Sequence, residues 1–427
     1  MNRKIILAFF GIDIDNLSFY DEKIDENDNS IHFFATHKKI SSFCPHCGST
    51  NILSKGLYSI SLNASIIHNK KVVGHLKIRR FKCNDCFKTF KENYGIYERY
   101  STISNIVKES IVKDLGKTLS YTFIAEEYNV SIQEVINIFD ALPPIKRAFL
   151  PAVMCVDEFH FSKDCNKNPR FPFVISDPYS GQIVDIVEYR TKDVLCEYFQ
   201  SISSFERKNV RFFISDMNTT FKEIKKLYFP NSIHIVDHFH VIKSFNDAIH
   251  NIRRKYLKDY KFDKSNPRYK SLKNNRKLFL MPQNKLIHIC KNEEGYTTDL
   301  YFQICDTFRF FPELGEIYYA REEFCREMTK MKDYEETSKF FDFYCLKLTA
   351  SISKSLQNLA KTLKHWRQEI INAYAKNETG FYLTNATAEA NNNKIQTYIN
   401  CSYGLTNFNR LRKRILYINE SNTKRGF

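Results

Sequence analysis

Three aspartates close short β-forming runs in the middle of this chain. Asp157 lies in Val153-Met154-Cys155-Val156-Asp157-Glu158, Asp216 follows Val210–Ser215, and Asp237 follows Ile233-His234-Ile235-Val236. Neighbouring strands of one sheet bring such side chains close together. Clustered carboxylates repel and call for cations, and hard oxygen ligands with room for phosphate oxygens suit magnesium or manganese. Two such ions about 3.5–4 Å apart activate a water or a hydroxyl and stabilise a leaving oxygen. Taken singly, each Asp also reads as a cap on the helix that follows it.

A fourth carboxylate lies far downstream, in Thr384-Asn385-Ala386-Thr387-Ala388-Glu389-Ala390-Asn391-Asn392-Asn393-Lys394-Ile395-Gln396. The stretch reads as a helix with Glu389 near its start. Asn392, Asn393 and Gln396 follow at helical spacing and share its face. Glu389 is therefore a candidate last metal ligand, with the amides and Lys394 beside it to meet phosphate. By itself the stretch also fits a solvated polar helix.

Near the start, Cys44-Pro45-His46-Cys47 and Cys83-Asn84-Asp85-Cys86 form two C-x-x-C pairs. Four thiolates suit one tetrahedral zinc, and they leave no position open for a substrate, so such a zinc is structural. The 35 residues between the pairs (48–82) exceed the commonest ribbon spacing of about 15–20. A small sheet over Ile52–Ile67 and Lys71–Phe81 fills the gap. Basic residues crowd this region, among them Lys70, Lys71, Lys77, Arg79, Arg80 and Lys82. They point to DNA contact.

Thr118–Asp140 reads as helix, turn at Asn129-Val130-Ser131, and helix. Ser131 is a good N-cap, and Glu134 completes a capping box. Ala125 permits close helix approach. The pattern is that of a helix-turn-helix whose second helix enters a major groove, with Gln133 and Asn137 as its base-reading side chains. A plain helical hairpin has the same pattern.

These residues need elements to hold them. Pro143-Pro144 breaks any helix and marks a boundary. Five β-rich runs follow: Ala152–Phe159, Phe171–Ser176, Gln182–Tyr189, Val210–Ser215 and Ser232–Val236. The first three are close enough for an antiparallel meander. Helical stretches at Lys192–Phe205 and Thr219–Tyr228 separate the last runs and favour parallel pairing. The expected result is a mixed α/β sheet with helices on its faces. From Val241 to Ala375 the pattern is helical. Residues 251–280 carry eleven Lys/Arg, including Arg253, Arg254 and Lys255, against two Asp. The chain ends in a basic helix, Phe408–Tyr417.

The 427 residues carry 64 Lys+Arg against 48 Asp+Glu, a formal net charge of +16. That excess suggests a polyanionic partner, nucleic acid first. No apolar run approaches the ~20 residues of a membrane span. The start, Met1–Phe10, reads as a first strand rather than a signal peptide, and a cytoplasmic protein is expected. The other eight cysteines are scattered and read as small buried hydrophobes.

The order of these features resembles the DDE transposases of bacterial insertion sequences, specifically the ISL-three family. The sharpest matches are Val156-Asp157-Glu158-Phe159, Phe229–Lys243 with its Asp237-His238-Phe239-His240, and Thr384–Ile395 followed by Tyr403-Gly404-Leu405-Thr406-Asn407-Phe408. The chain departs from the family where Ala386 and Ala390 replace the usual glycines.

The resemblance implies an RNase H-like mixed-sheet catalytic core with a helical insertion, preceded by a small β-rich zinc domain and a helix-turn-helix. The expected boundaries are 1–98 for the zinc domain and 99–143 for the helix-turn-helix. The first part of the core then spans 144–243, the basic insertion 244–380 and the rest of the core 381–427. Asp157, Asp216 and Glu389 become the metal-binding triad for two Mg2+ or Mn2+, beside one structural Zn2+. Asp216 is preferred to Asp237 because an Asp closing the fourth strand lies beside the first strand in this fold. Asp237 and His238 match a family motif without an assigned role. Glu158 points to the opposite face of its strand and pairs with a neighbouring base. The 173 residues from Asp216 to Glu389 accommodate an insertion that holds element ends. In it Trp366 either stacks on an unpaired base or packs between helices.

The expected activity is metal-dependent cleavage and strand transfer at terminal inverted repeats into target DNA, by a homodimer on paired ends. A transposase-derived DNA-binding regulator without catalysis is the alternative, and a nuclease of the same fold a third reading.

Overall fold

The computed structural model describes residues 17–25, 30–38, 42–67, 70–92, 97–98, 101–161, 171–287, 290–291, 297–298, 300–331, 333–375, 385–402 and 407–424. The expected strand at Met1–Phe10, Thr384 and the Tyr403-Gly404 stretch lie outside them. The chain divides into two units, 1–146 with 395–427, and 147–394.

The first unit is built on a five-stranded sheet: β1 (Leu17–Asp25), β2 (Ser30–His37), β3 (Ile52–Ile67), β4 (Lys70–Cys83) and β5 (Thr89–Lys91), in the order β1-β2-β4-β3 with β5 also on β4. β2 and β4 run parallel, and the other pairs are antiparallel. Along β4, Val72, Leu76 and Ile78 alternate inward, the period-2 pattern of a half-buried strand. Three helices follow: α1 (Asn105–Leu115), α2 (Tyr121–Glu127) and α3 (Ile132–Ala141). Ser104, Ser120 and Ser131 cap them, each accepting a backbone N–H three residues on. Asn129 turns the chain at a positive φ of 49° between α2 and α3.

The second unit centres on another five-stranded sheet. Its strands are β6 (Val153–Glu158), β7 (Phe173–Ser176), β8 (Ile183–Val187), β9 (Phe212–Ser215) and β10 (Ile233–Val236), ordered β10-β9-β6-β7-β8. β6, β7 and β8 form an antiparallel meander, while β9 runs parallel to β6 and β10 parallel to β9. The crossovers are helical: α4 (Lys192–Ser201) and α5 (Ser204–Lys208) precede β9, and α6 (Thr219–Tyr228) precedes β10.

Alternation along β6 sorts its side chains between two cores. Met154 and Val156 face Phe173, Ile175, Phe199, Phe221 and Phe229. Val153 and Cys155 face the other way, into a core shared with Val241 and Phe245. Asp157 continues the second set and Glu158 the first.

The second core is roofed by helices: α7 (His238–Asp259), α8 (Pro267–Asn274), α9 (Gln283–Ile287), α10 (Leu300–Phe310), α11 (Pro312–Met328), α12 (Tyr334–Ala350), α13 (Lys354–His365) and α14 (Arg367–Tyr374). Two two-residue strands, β11 (Cys290–Lys291) and β12 (Thr297–Thr298), pair between α9 and α10. One continuous apolar core runs from Ile214 and Ile235 through these helices to Ala388, so the insertion is built onto the sheet rather than tethered to it. Helix α15 (Ala386–Cys401) begins in this unit, and its residues from Ile395 onward group with the first, together with α16 (Phe408–Lys424).

Candidate active site

The strand ends bring Asp157, Asp216 and Asp237 to one side of the sheet. Asp157 is 7% exposed. Its Oδ1 accepts the Glu158 N–H at 2.8 Å, and its Oδ2 accepts Asn392 Nδ2 at 2.7 Å. Burial pushes its carboxyl up to about 7, and the nearby Asp216 charge adds to the shift.

Asp216 follows β9, the parallel neighbour of β6. His240, from the first turn of α7, reaches it: Nε2 lies 2.9 Å from Asp216 Oδ2. The same ring places Nδ1 3.6 Å from Asp237 Oδ2, an ion-pair rather than a hydrogen-bond distance. Burial pulls the imidazole pKa down, but the two carboxylates outweigh it and raise it to about 9. His240 is thus an imidazolium at neutral pH, donating between two carboxylates.

Asp237 is the N-cap residue of α7, and its side chain makes no cap hydrogen bond. Its Oδ1 instead accepts the Asn385 N–H at 3.4 Å. Burial works against its charge, but His240, that N–H and His238 together hold the carboxyl below its ordinary range. His238 is half-buried and packs edge-on against Tyr374, with centroids 4.2 Å apart.

The start of α15 is stitched to this site by short polar side chains. Asn385 Nδ2 donates to Val156 O at 3.5 Å, Thr387 Oγ1 to Pro178 O at 3.3 Å, and Asn391 Nδ2 to Ser176 Oγ at 3.0 Å. Glu389 stands exposed in the first turn of α15, three residues before Asn392. Its carboxylate is not gathered with those of Asp157 and Asp216 into one tight ligand cluster; among the described residues only the four cysteines form such a group. Lys394 is exposed. Glu158 points away from the aspartates and pairs with Arg190, whose guanidinium also covers the Phe171 ring at 4.9 Å.

The donor set fits a hard divalent cation. His240 faces Asp216 and Asp237, and the buried Asp157 carboxyl lies near Asp216. Asp216 Oδ1 and Asn392 Oδ1 are buried acceptors with no hydrogen-bond partner. An unmet buried acceptor costs about 1–3 kcal/mol, and a cation relieves that cost.

The cysteine pairs meet as their spacing suggested. All four sulfurs lie within 4.8 Å of one another, with Cys44–Cys86 at 3.7 Å and Cys47–Cys83 at 3.6 Å. A tetrahedron with Zn–S of about 2.3 Å has edges near 3.8 Å, so the group fits zinc. Asp85 ties the knuckles together, accepting from Ser49 and from Asn51 Nδ2 at 3.0 Å. Gly48 takes a φ of 74° in the first knuckle, a conformation natural to glycine. Backbone N–H groups of Cys86 and Asp85 pull the Cys83 thiol down to about 7, while the neighbouring Cys47 is pushed up to about 12.

The residues expected to touch DNA are divided. Arg80, Gln133, Asn137, Arg254 and Lys255 are exposed. Gln133 and Asn137 share one face of α3 and hydrogen bond to each other at 2.8 Å. Arg79 is partly buried and pairs with Glu92 at 3.5 Å. Arg253 is buried and donates to Leu272 O at 3.3 Å, which turns its guanidinium into a helix-packing element. Trp366 is 3% exposed and packs against His234, with Lys222 Nζ 4.7 Å above its ring. Of its two readings, packing is the one this geometry fits.

Sequence reasoning passed over two arrangements. One is the His240 bridge, although the i, i+3 spacing from Asp237 placed both in the first turn of one helix. The other is α16, whose basic run packs inward. Arg414 is fully buried, donates to Lys117 O and Leu119 O at 3.2 and 3.0 Å, and lies against Tyr121, Phe139 and Tyr398. Arg410 clasps Asp140 with two bonds of 3.0 and 2.6 Å. Lys413 caps the end of α3 at Phe139 O and Leu142 O.

A family model described as a transposase, of the ISL-three DDE type, matches residues 145–415. The chain belongs to the ISL-three transposase family. No curated protein matches it significantly. Among the described residues no helix is long and apolar enough to cross a membrane.

Proposed function

We propose that this transposase binds the terminal inverted repeats of an insertion sequence and catalyses metal-dependent cleavage and strand transfer on DNA. The observation that carries this reading is that Asp157 and Asp216 stand at the ends of two adjacent parallel strands, with Asp216 Oδ1 buried and unpartnered. The strand order and directions are those expected of an RNase H-like core, which supports the same assignment.

In this reading Asp157, Asp216 and Glu389 hold two Mg2+ or Mn2+. Such ions supply Lewis-acid charge to the scissile phosphodiester and acidify the attacking water or 3′-hydroxyl. The protein's share is positioning. His240 fixes one oxygen of Asp216 and leaves the other free, while Asn392 fixes Asp157. Lys394, exposed on α15 beside the metal ligand Glu389, meets the incoming DNA backbone. Zinc at Cys44, Cys47, Cys83 and Cys86 is structural. The sheet around it, the α2–α3 helix-turn-helix and the basic surface bearing Arg254 and Lys255 bind DNA. Synapsis of two ends implies a homodimer, working in the cytoplasm.

The test is a labelled duplex carrying the element end, incubated with the protein and Mg2+ or Mn2+. Cleavage at the end that disappears in Asp157→Ala supports the reading. Tight binding without cleavage at any metal concentration, with paired ends supplied, favours the non-catalytic regulator instead.

A further inference from the structure

Asn392 of α15 reaches a strand-end carboxylate. Its Nδ2 donates to Asp157 Oδ2 at 2.7 Å and also to Glu158 O at 3.2 Å. The other end of the same carboxamide, Oδ1, is buried without a partner, as is Asp216 Oδ1. A side chain chosen only to donate to Asp157 has no need of a buried acceptor. Burying one unmet is unfavourable, and an amine, which carries donors only when charged, would avoid it.

Resting on the metal-dependent reading above, we propose that Asn392 Oδ1 is a direct ligand of the divalent cation held by Asp157 and Asp216. Amide carbonyl oxygens are hard, neutral donors of the kind that Mg2+, Mn2+ and Ca2+ accept. Before the cation binds, the Nδ2 end holds Asp157 in place. When it binds, the carboxamide presents its oxygen, which a turn about its last side-chain bond allows without moving the helix. Glu389, one turn earlier on the same face and exposed, is free to serve the second ion nearer the DNA.

The experiment uses the full-length, zinc-loaded protein and Mn2+ as the probe. Free Mn2+ is titrated by electron paramagnetic resonance. Bound Mn2+ is then examined by electron–nuclear double resonance in protein labelled with 13C at the asparagine carboxamide carbon. The expected result is a 13C coupling to bound Mn2+ that vanishes in Asn392→Ala, with affinity weakened about tenfold or more. Asn392→Asp, which keeps an oxygen in place, retains the affinity. Wild-type affinity in a folded Asn392→Ala protein, or bound Mn2+ without any 13C coupling, overturns the proposal and leaves the metal-dependent reading standing. Should Asn392→Ala fail to fold, the coupling in wild type and the affinity of Asn392→Asp decide. Absence of any Mn2+ site weakened by Asp157→Ala overturns both.

Discussion

His240 Nε2 lies 2.9 Å from Asp216 Oδ2, while Asp216 Oδ1 is left buried and unpaired. One oxygen is oriented and the other is kept open, an arrangement that suits a metal-binding carboxylate held from behind. His240→Ala is expected to lower end cleavage about 10–100-fold with DNA binding intact. His240→Gln, which keeps a donor at the Nε2 position, should recover most of the loss. Equal losses in both variants would argue against the orienting role. Gel assays of binding and cleavage on one duplex read both quantities.

Glu158 and Glu389 provide a contrast between two acidic residues. Glu389→Ala should abolish cleavage and leave end binding largely unchanged. Glu158→Gln breaks the ion pair with Arg190 on the opposite face and should alter cleavage by only a few-fold. Full cleavage by Glu389→Ala would remove Glu389 from the triad.

The cysteine cluster predicts a structural zinc. Cys83→Ser is expected to leave the purified protein without its bound zinc, measured by metal analysis after dialysis. Unfolding of the first unit should shift to lower temperature, since metal-binding energy is folding energy in such a domain. Retention of zinc by that variant would count against the four-thiolate site.

A buried network behind the sheet predicts an acid dependence. Lys222 Nζ lies 3.0 Å from Glu369 Oε1, and His234 Nδ1 lies 3.6 Å from the same oxygen. Burial opposes the Glu369 charge, but His234 and Lys222 overcome it and lower its pKa from 4.5 to about 2. A depressed carboxylate stabilises the fold above its unfolded value, and that stabilisation is lost as pH falls from about 4.5 towards about 2. Glu369→Gln should therefore be less stable at neutral pH and show a flatter decline on acidification. Thermal unfolding across this range, compared with wild type, checks the sign.

Arg414 ties the terminal helix to the first unit. Arg414→Ala leaves a cavity among Tyr121, Phe139 and Tyr398 and should cost about 2–5 kcal/mol. End binding should weaken through loss of the α1–α3 fold, while Mn2+ binding at Asp157 remains. Weaker Mn2+ binding together with unchanged end binding would reverse the assignment.

The features readable without a structure are those that local geometry dictates. C-x-x-C spacing turns two sulfurs to one point, so the four-cysteine cluster was legible in Cys44–Cys47 and Cys83–Cys86. Ser131 and Glu134 announced a helix start because an N-cap is satisfied within one turn. Short β-branched runs ending in Asp157, Asp216 and Asp237 announced strand ends, and the lengths between them announced a meander followed by parallel crossovers. The opposed directions of Asp157 and Glu158 followed from the strand pleat.

What only the tertiary structure decided are the partners that meet across long stretches of chain. Nothing in the basic pattern of 408–417 separates a DNA-facing helix from one that buries Arg414, since charge periodicity does not report which face is covered. Arg253 was expected to touch DNA and is packed inside, and Trp366, which could stack or pack, is packed as well. Asn392 meets Asp157 across more than half of the chain, through a contact that no local spacing encodes. Sequence determines the local turn of the backbone, but a side chain's partner depends on which distant surfaces are desolvated together, and that is settled only when the whole core closes.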